Sequence, residues 1–402
     1  MKIGLDIRFL HYGLARKGDN KNIGGIGVYQ KNLLLNLLDI DSENHYYLLI
    51  HSHLSPKPIE ELVQPKKNVS ILPLMREIYL PFMDSSLGIK IRALQRRFIH
   101  NRTLESAGLD VVHFSGERDI GTKPSEMKVV ITIYDVIHEL LSKKGEAFGR
   151  RLNTRTSKNV ELADHIFAIS EATKNDLIEH FGAKAEKITV TYLDCDRKVF
   201  YPRPQNEIDT VKAKYKIQSP YFIHVGSIYA SKNTERIVRA FAAAKREIKT
   251  PMFLYFAGVM AKYGKPEVEE FYRVVREEEA ESYIQLLPPV TDNELSALYT
   301  GSVANLHPSL YEGFGMTLLE AMASGTAVIT SNTSSMPEVV GDAGIVVNPE
   351  ETKEVKDAIE KLTIDGIYRK LLINKTNEQL EKFSWKYCAN IAIETIKYNL
   401  FI

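Results

Sequence analysis

The chain has 402 residues, more than one ordinary hydrophobic core serves, so two or three domains are expected. Apolar residues make up 44% and charged residues 26%, and 52 basic against 51 acidic residues leave a net charge of +1, which removes any global argument for nucleic acid as a partner. Cys195 and Cys388 are far apart in sequence and have no paired spacing, which argues against a disulfide framework or zinc module and fits a reducing, cytoplasmic setting.

The N-terminus meets a charge at Asp6 after a brief apolar run and reads as a first strand rather than a signal peptide. No stretch approaches the roughly 20 apolar residues that span a bilayer. In chain order, Ile3 to Ile7, Tyr46 to Ile50, Val69 to Leu72, Val111 to Phe114, Val129 to Ile133 and His165 to Ala168 read as buried strands. Between the first two, Tyr29, Leu33, Leu34, Leu37 and Leu38 fall on one helical face. That helix is entered through Gly24-Gly25-Ile26-Gly27, a cluster that either cradles a phosphate or is simply a flexible loop. It lacks the full dinucleotide fingerprint and a well-placed ribose acid, so a dehydrogenase reading is poor. Leu87, Ile91, Leu94 and Phe98 form another apolar face, with Lys90, Arg92, Arg96 and Arg97 elsewhere on the helix. A packed helix with a solvated face is the commoner explanation, and docking of residues 87–102 on an anionic membrane surface is the alternative. Asp135 follows the Val129 to Ile133 strand, where a site residue or a helix cap is expected, with Tyr134 and His138 beside it. Ser170, after the next strand, reads mainly as a helix cap.

Asp194 to Pro220, with Pro202, Pro204 and Pro220 among polar residues, reads as a domain connection. Asp194-Cys195-Asp196 looks like a metal-binding Asp-x-Asp, but it falls in this connection, outside any strand-end site, and is read as an accident. A second alternating series follows: strands at Tyr221 to Val225, Met252 to Phe256, Ile284 to Leu287, Val303 to Leu306, Val328 to Thr330 and Ile345 to Val347. Two segments of it carry chemistry. Val225-Gly226-Ser227 leaves a strand and leads through Lys232-Asn233 into a helix with Ile237, Val238, Phe241 and Ala244 on one face. Lys232 there either offsets diphosphate charge or is an ordinary exposed lysine at a helix start. His307 to Gly325 runs from a strand end through Gly313 and Gly315 to a helix expected near Met316. The glycines permit close approach of a ligand to the backbone, and the helix start suits a phosphate. Glu312 and Glu320 suit sugar hydroxyls better than phosphate; the plainer alternative is a tight strand-helix turn with two surface glutamates. The class is therefore α/β: two doubly wound, Rossmann-like domains, expected to face each other across a cleft. The boundaries are placed at 1–197 and 198–384, with the helix at 385–402 returning to the first domain.

The His307 to Gly325 segment resembles the Glu-x7-Glu signature of the retaining glycosyltransferases of family 4, which have the GT-B fold. Val225 to Asn233 is similar to the same family's diphosphate-binding segment, with Ser227 or Ser231 where an arginine is usual. Gly24 to Tyr29 resembles its N-terminal glycine loop. Tyr134-Asp135 resembles its His-Asp motif, with tyrosine in place of histidine. The resemblance implies a nucleotide-sugar donor held by Gly25, Gly226, Ser227, Lys232, Val290, Glu312, Gly313, Phe314, Gly315, Met316, Thr317, Leu318 and Glu320. Glu312 would lie near the donor sugar and Glu320 on the nucleotide ribose. Asp135, Lys232 and Glu312 are the catalytic candidates, with Tyr134 and His138 on the acceptor side. The acceptor would be a glycan or a lipid-linked glycan held mainly by the first domain.

The family implies no metal and no cofactor beyond the donor itself. The expected activity is retaining transfer of a hexose from GDP-mannose or a UDP-hexose in surface polysaccharide or glycolipid assembly, by an enzyme that is cytoplasmic or membrane-peripheral. No carboxylate nucleophile stands out, so a front-face route is preferred, in which the departing phosphate helps to deprotonate the acceptor. The alternatives are a GT-B sugar-nucleotide epimerase and a sugar-nucleotide-binding scaffold that has lost activity.

Overall fold

The computed structural model describes residues 1–15, 23–64, 66–74, 101–116, 123, 127–137, 140, 147–258 and 266–400. The basic helix expected within 87–102 falls mostly outside them, as does His138. The chain divides into two units, Met1–Leu193 with Ser384–Ile402, and Asp194–Phe383.

The first unit is built on seven parallel strands: β1 Lys2–Asp6, β2 His45–His51, β3 Val69–Leu74, β4 Val111–Phe114, β5 Lys128–Ile133, β6 His165–Ala168 and β7 Ile188–Val190. Their order is β3-β2-β1-β4-β5-β6-β7, so the direction of winding reverses between β1 and β4. β4 to β6 are buried almost continuously along their length, as fits strands covered on both faces. The short β7 was not expected. It has three residues and follows a 3-10 turn, so it carries too little periodicity to be seen in sequence. The helix Gly24–Ile40 lays Tyr29, Leu33, Leu34, Leu37 and Leu38 into the core. Trp385–Asn399 packs on it, with Trp385 6.1 Å from the Tyr29 ring and Cys388, Ala389, Ala392 and Ile396 buried.

The second unit has six parallel strands: β8 Tyr221–Val225, β9 Phe253–Ala257, β10 Ile284–Leu286, β11 Ala304–His307, β12 Ala327–Ser331 and β13 Gly344–Val347. Their order is β10-β9-β8-β11-β12-β13, with the reversal between β8 and β11. One face carries Phe222, Leu254, Phe256, Ala304, Leu306, Ala327 and Ile329 in a core shared with Ile237, Val238, Phe241 and Ala244. The segment read as a plain connection contains a helix, Gln205–Tyr215, entered from Pro204. Only Ile208 of that helix is fully buried, which leaves a weak apolar signal in a charged stretch. Asp194 is buried and bonded to Arg197 at 2.8 Å, so the Asp-x-Asp run serves an internal ion pair.

Candidate active site

Parallel sheets present ligand sites beyond the carboxyl ends of their strands, where the winding reverses. In the second unit that place lies past β8 and β11. The chain leaves β8 through Gly226, whose φ of +154° strongly favours glycine. It makes a 3-10 turn over Ala230–Lys232 and enters the helix Thr234–Glu247 through Asn233 in a left-handed conformation. The Asn233 amide donates to Pro308 O at 3.0 Å and to Pro349 O at 2.7 Å, tying this turn to the loops after β11 and β13. Leu310 N donates to Ser231 O at 2.7 Å.

The loop after β11 carries Glu312 and ends at Gly315, whose φ is +102°, before the helix Met316–Ala323. No side chain among the described residues caps that helix. Phe314 anchors the loop by burying its ring against Phe383. The loop carbonyls are held by a row of hydroxyls after β12. Ser331 Oγ donates to Ser309 O, Thr333 Oγ1 to Leu310 O, Ser334 Oγ to Glu312 O, and Ser335 Oγ to both Glu312 O and Phe314 O. Sequence reading missed this row. Its signal was the run Ser331-Asn332-Thr333-Ser334-Ser335 directly after a strand.

Lys232 Nζ lies 2.5 Å from Glu312 Oε1, and His307 Nε2 lies 3.0 Å from the same oxygen. A carboxylate accepts, so His307 carries its proton on Nε2, leaving Nδ1 to face the Thr317 hydroxyl at 3.5 Å. Burial alone would raise the Glu312 carboxyl, but the Lys232 ammonium and the His307 ring overcome it and hold the carboxyl well below the usual range. Glu320 has the opposite environment. Burial, with the charge of Asp292 added, pushes it up to about 8 against the pull of the Tyr299 hydroxyl. Two carboxylates on one segment are thus pushed to opposite protonation states, the pattern by which sites separate roles.

Gly226, Ser227, Gly313, Met316 and Thr317 are partly exposed, while Leu318 is buried in the core. Val290 is half-buried between β10 and the helix Asp292–Thr300, one residue before its capping Thr291. Among the described residues no group of three or more His, Cys, Asp or Glu is placed to hold a metal ion, and no helix is long and apolar enough to cross a membrane.

The remaining candidates belong to the first unit. Gly24 and Gly25 open the helix Gly24–Ile40, and a Cβ at Gly25 would meet no heavy atom within 4 Å. Asp135 accepts from Ile137 N at 3.0 Å, the bond of a turn into a helix. Tyr134 is buried and donates its hydroxyl to Ser115 O at 2.6 Å. Ser170 caps the helix Glu171–Phe181 by accepting from Thr173 N. At this unit's own reversal point lies a buried ion pair that sequence reading did not single out. Arg8 grips Asp6 through Nε at 2.8 Å and Nη2 at 2.7 Å. Gln30 and Ser115 hold the Asp6 carbonyl beside it.

Two family models match the chain. One, described as Glycosyltransferase Family 4, matches residues 23–193, and one, described as Glycosyl transferases group 1, matches residues 207–379. Among curated relatives, O-antigen chain mannosyltransferase B of Escherichia coli is 29% identical over 62% of this chain and 64% of its own length. The serotype-specific mannosyltransferase WbdA of Escherichia coli is 31% identical over 66% of this chain and 33% of its own length. The match thus spans under two thirds of either relative. Among solved structures, sucrose-phosphate synthase from Thermosynechococcus elongatus superposes with a TM-score of 0.73 at 18% identity, covering 100% of this chain and 99% of that one. The two parallel doubly wound sheets are those of the GT-B fold.

Proposed function

Since the chain belongs to glycosyltransferase family 4, we propose that it transfers a hexose, with retention and without a metal, from a nucleoside-diphosphate sugar to a glycan or lipid-linked acceptor in surface polysaccharide assembly. The observation that carries this reading is the convergence of Lys232, Glu312 and His307 past the ends of β8 and β11, beside Gly226 and the start of the Met316–Ala323 helix.

Each part suits one task. The Lys232 ammonium offsets the charge that grows on the departing diphosphate, in a site shielded enough for that charge to count. The helix start adds its amides and the positive end of its dipole. Glu312, kept ionised, holds Lys232 in place before the donor enters and is suited to accept from a donor-sugar hydroxyl. Glu320 is suited to the ribose. With its carboxylate bonded to both Lys232 and His307, Glu312 is a poor nucleophile. This supports a front-face route, in which the leaving phosphate takes the acceptor proton and the protein supplies position and charge. The relatives' names put GDP-mannose first among donors to test, ahead of UDP-hexoses.

Thermal-shift screening against GDP-mannose, UDP-hexoses, GDP and UDP tests the reading. It is followed by incubation of the stabilising donor with glycan and lipid-linked acceptors in EDTA, and by assignment of the product anomer by NMR. One donor should stabilise the protein and give a retained glycoside. Failure of every nucleotide to stabilise it would overturn the proposal. Isomerised donor without acceptor would point to an epimerase, and binding without turnover over many acceptors to a scaffold.

A further inference from the structure

His224, one residue before the end of β8, is fully buried. Its Nδ1 lies 2.7 Å from Leu306 O, and a carbonyl only accepts, so the proton sits on Nδ1 and Nε2 carries a bare lone pair. The ring stacks on His307 at 5.9 Å and 16°, and also meets Phe256. Among the described residues Nε2 has no hydrogen-bond partner. A buried acceptor without a donor costs stability, and the bond from Nδ1 to Leu306 O accounts for only one of the two ring nitrogens, so Nε2 calls for an explanation.

The geometry around Gly226 supplies one. A Cβ placed there would lie 3.5 Å from His224 Nε2 and 3.8 Å from Lys232 Cε. The positive φ of Gly226 keeps that space free of a side chain. The imidazole nitrogen and the end of the lysine stem thus border one small gap. In this structure the ammonium is turned to Glu312.

We propose that His224 is a positioning residue whose Nε2 accepts a hydrogen bond from the Lys232 ammonium when a bound diphosphate draws that ammonium away from Glu312. The inference rests on the reading of Lys232 as the cation at the diphosphate. An ammonium has three N–H donors, so it can face the phosphate and the imidazole together. A neutral acceptor orients the lysine without cancelling the charge that the diphosphate needs, which a second carboxylate would do. Burial, followed by the neighbouring His307, lowers His224 to about 3, which keeps its ring neutral.

Two substitutions separate the ring nitrogens. His224→Asn keeps a donor for the Leu306 carbonyl and removes the acceptor at the Nε2 position, whereas His224→Gln places an acceptor there. Calorimetric titration with GDP and UDP, on protein shown to be folded by thermal unfolding, should find binding about tenfold weaker in His224→Asn, the scale of one lost hydrogen bond to a charged group. His224→Gln should stay within about twofold of wild type, and His224→Asn should add nothing further in a Lys232→Ala background. Equal losses from His224→Asn in both backgrounds, or none in either, would overturn the inference. Wild-type affinity in Lys232→Ala alone would instead overturn the reading of Lys232. Should the variants fail to fold, histidine 15N spectra of the wild-type protein decide. The unprotonated Nε2 resonance of His224 should move upfield on saturation with GDP or UDP, and an unmoved resonance would refute the proposal.

Discussion

Lys232 Nζ and Glu312 Oε1 meet at 2.5 Å although they stand 80 positions apart in the chain. They meet because Asn233 is bonded to Pro308 O and Pro349 O, and because the Ser331 to Ser335 hydroxyls hold the carbonyls of the Glu312 loop. Lys232→Ala should therefore lower kcat/KM by about 10²–10³, the range seen on removing one group that stabilises developing charge. Glu312→Gln should lower it comparably, since it replaces the ionised acceptor for the donor sugar with a neutral amide. Steady-state kinetics with the stabilising donor, alongside circular dichroism, checks both. Turnover at the wild-type rate in either variant would remove that residue from the mechanism.

Glu320 gives a pH signature of opposite sign to an ordinary carboxylate. Burial raises it from 4.5 to about 8, so between those values the folded state holds a proton that the unfolded state has released. Stability must then fall as pH rises through that window and level off above it. Glu320→Gln should flatten this component and raise the unfolding temperature relative to wild type at pH 8. Melting curves of both proteins at pH 5, 6, 7 and 8 measure the difference. A gap that does not widen with pH would contradict the assignment.

The buried histidines act at the acid end. Burial lowers His113 to about 3, with the Asp6 charge opposing, and lowers His165 to about 4. Below about 6.5 the unfolded chain takes up protons that these rings refuse, so stability falls as pH drops from there toward 3 to 4. His113→Gln, which can keep a partner for the Thr132 hydroxyl now 2.8 Å from Nε2, should reduce the acid slope by about one proton. Denaturant titrations at pH 4 and pH 6.5 read the slope directly.

The glycine cluster divides by packing. A Cβ on Gly27 would lie 2.8 Å from Ile23 Cβ and 3.7 Å from Leu10 Cα, so Gly27→Ala should destabilise the fold by about 1–3 kcal/mol. Gly25 opens onto free space, so Gly25→Ala should leave folding intact or improve it by up to about 1 kcal/mol through helix propensity. If Gly25 borders the donor, Gly25→Ala loses transfer while it keeps its melting temperature. Full activity would assign the glycine to the turn alone.

Much of the architecture was legible because parallel strands buried on both faces write continuous Val, Ile and Leu runs. The predicted β4, β6 and β8 match their observed bounds, and the other predicted strands differ by a residue or two. The three-residue β7 and the helix Gln205–Tyr215 escaped, since neither buries enough apolar surface to mark its period. Within the site, the helix start near Met316 was marked by Gly315 before it, and both glutamates stood out by their setting among glycines and aromatics and by the family resemblance of that segment.

Their environments did not. Seven residues separate Glu312 from Glu320, and nothing in that interval says that one is lowered by Lys232 and His307 while the other is raised by burial and the charge of Asp292. Local sequence determined which segments become strands and where glycine must turn the chain, because periodicity and φ preference act over a few residues. Protonation states, the burial of the Asp6–Arg8 pair and the lone pair of His224 were decided by tertiary structure. Charge and solvation depend on what distant strands bring within a few ångströms, and chain order carries no measure of that distance.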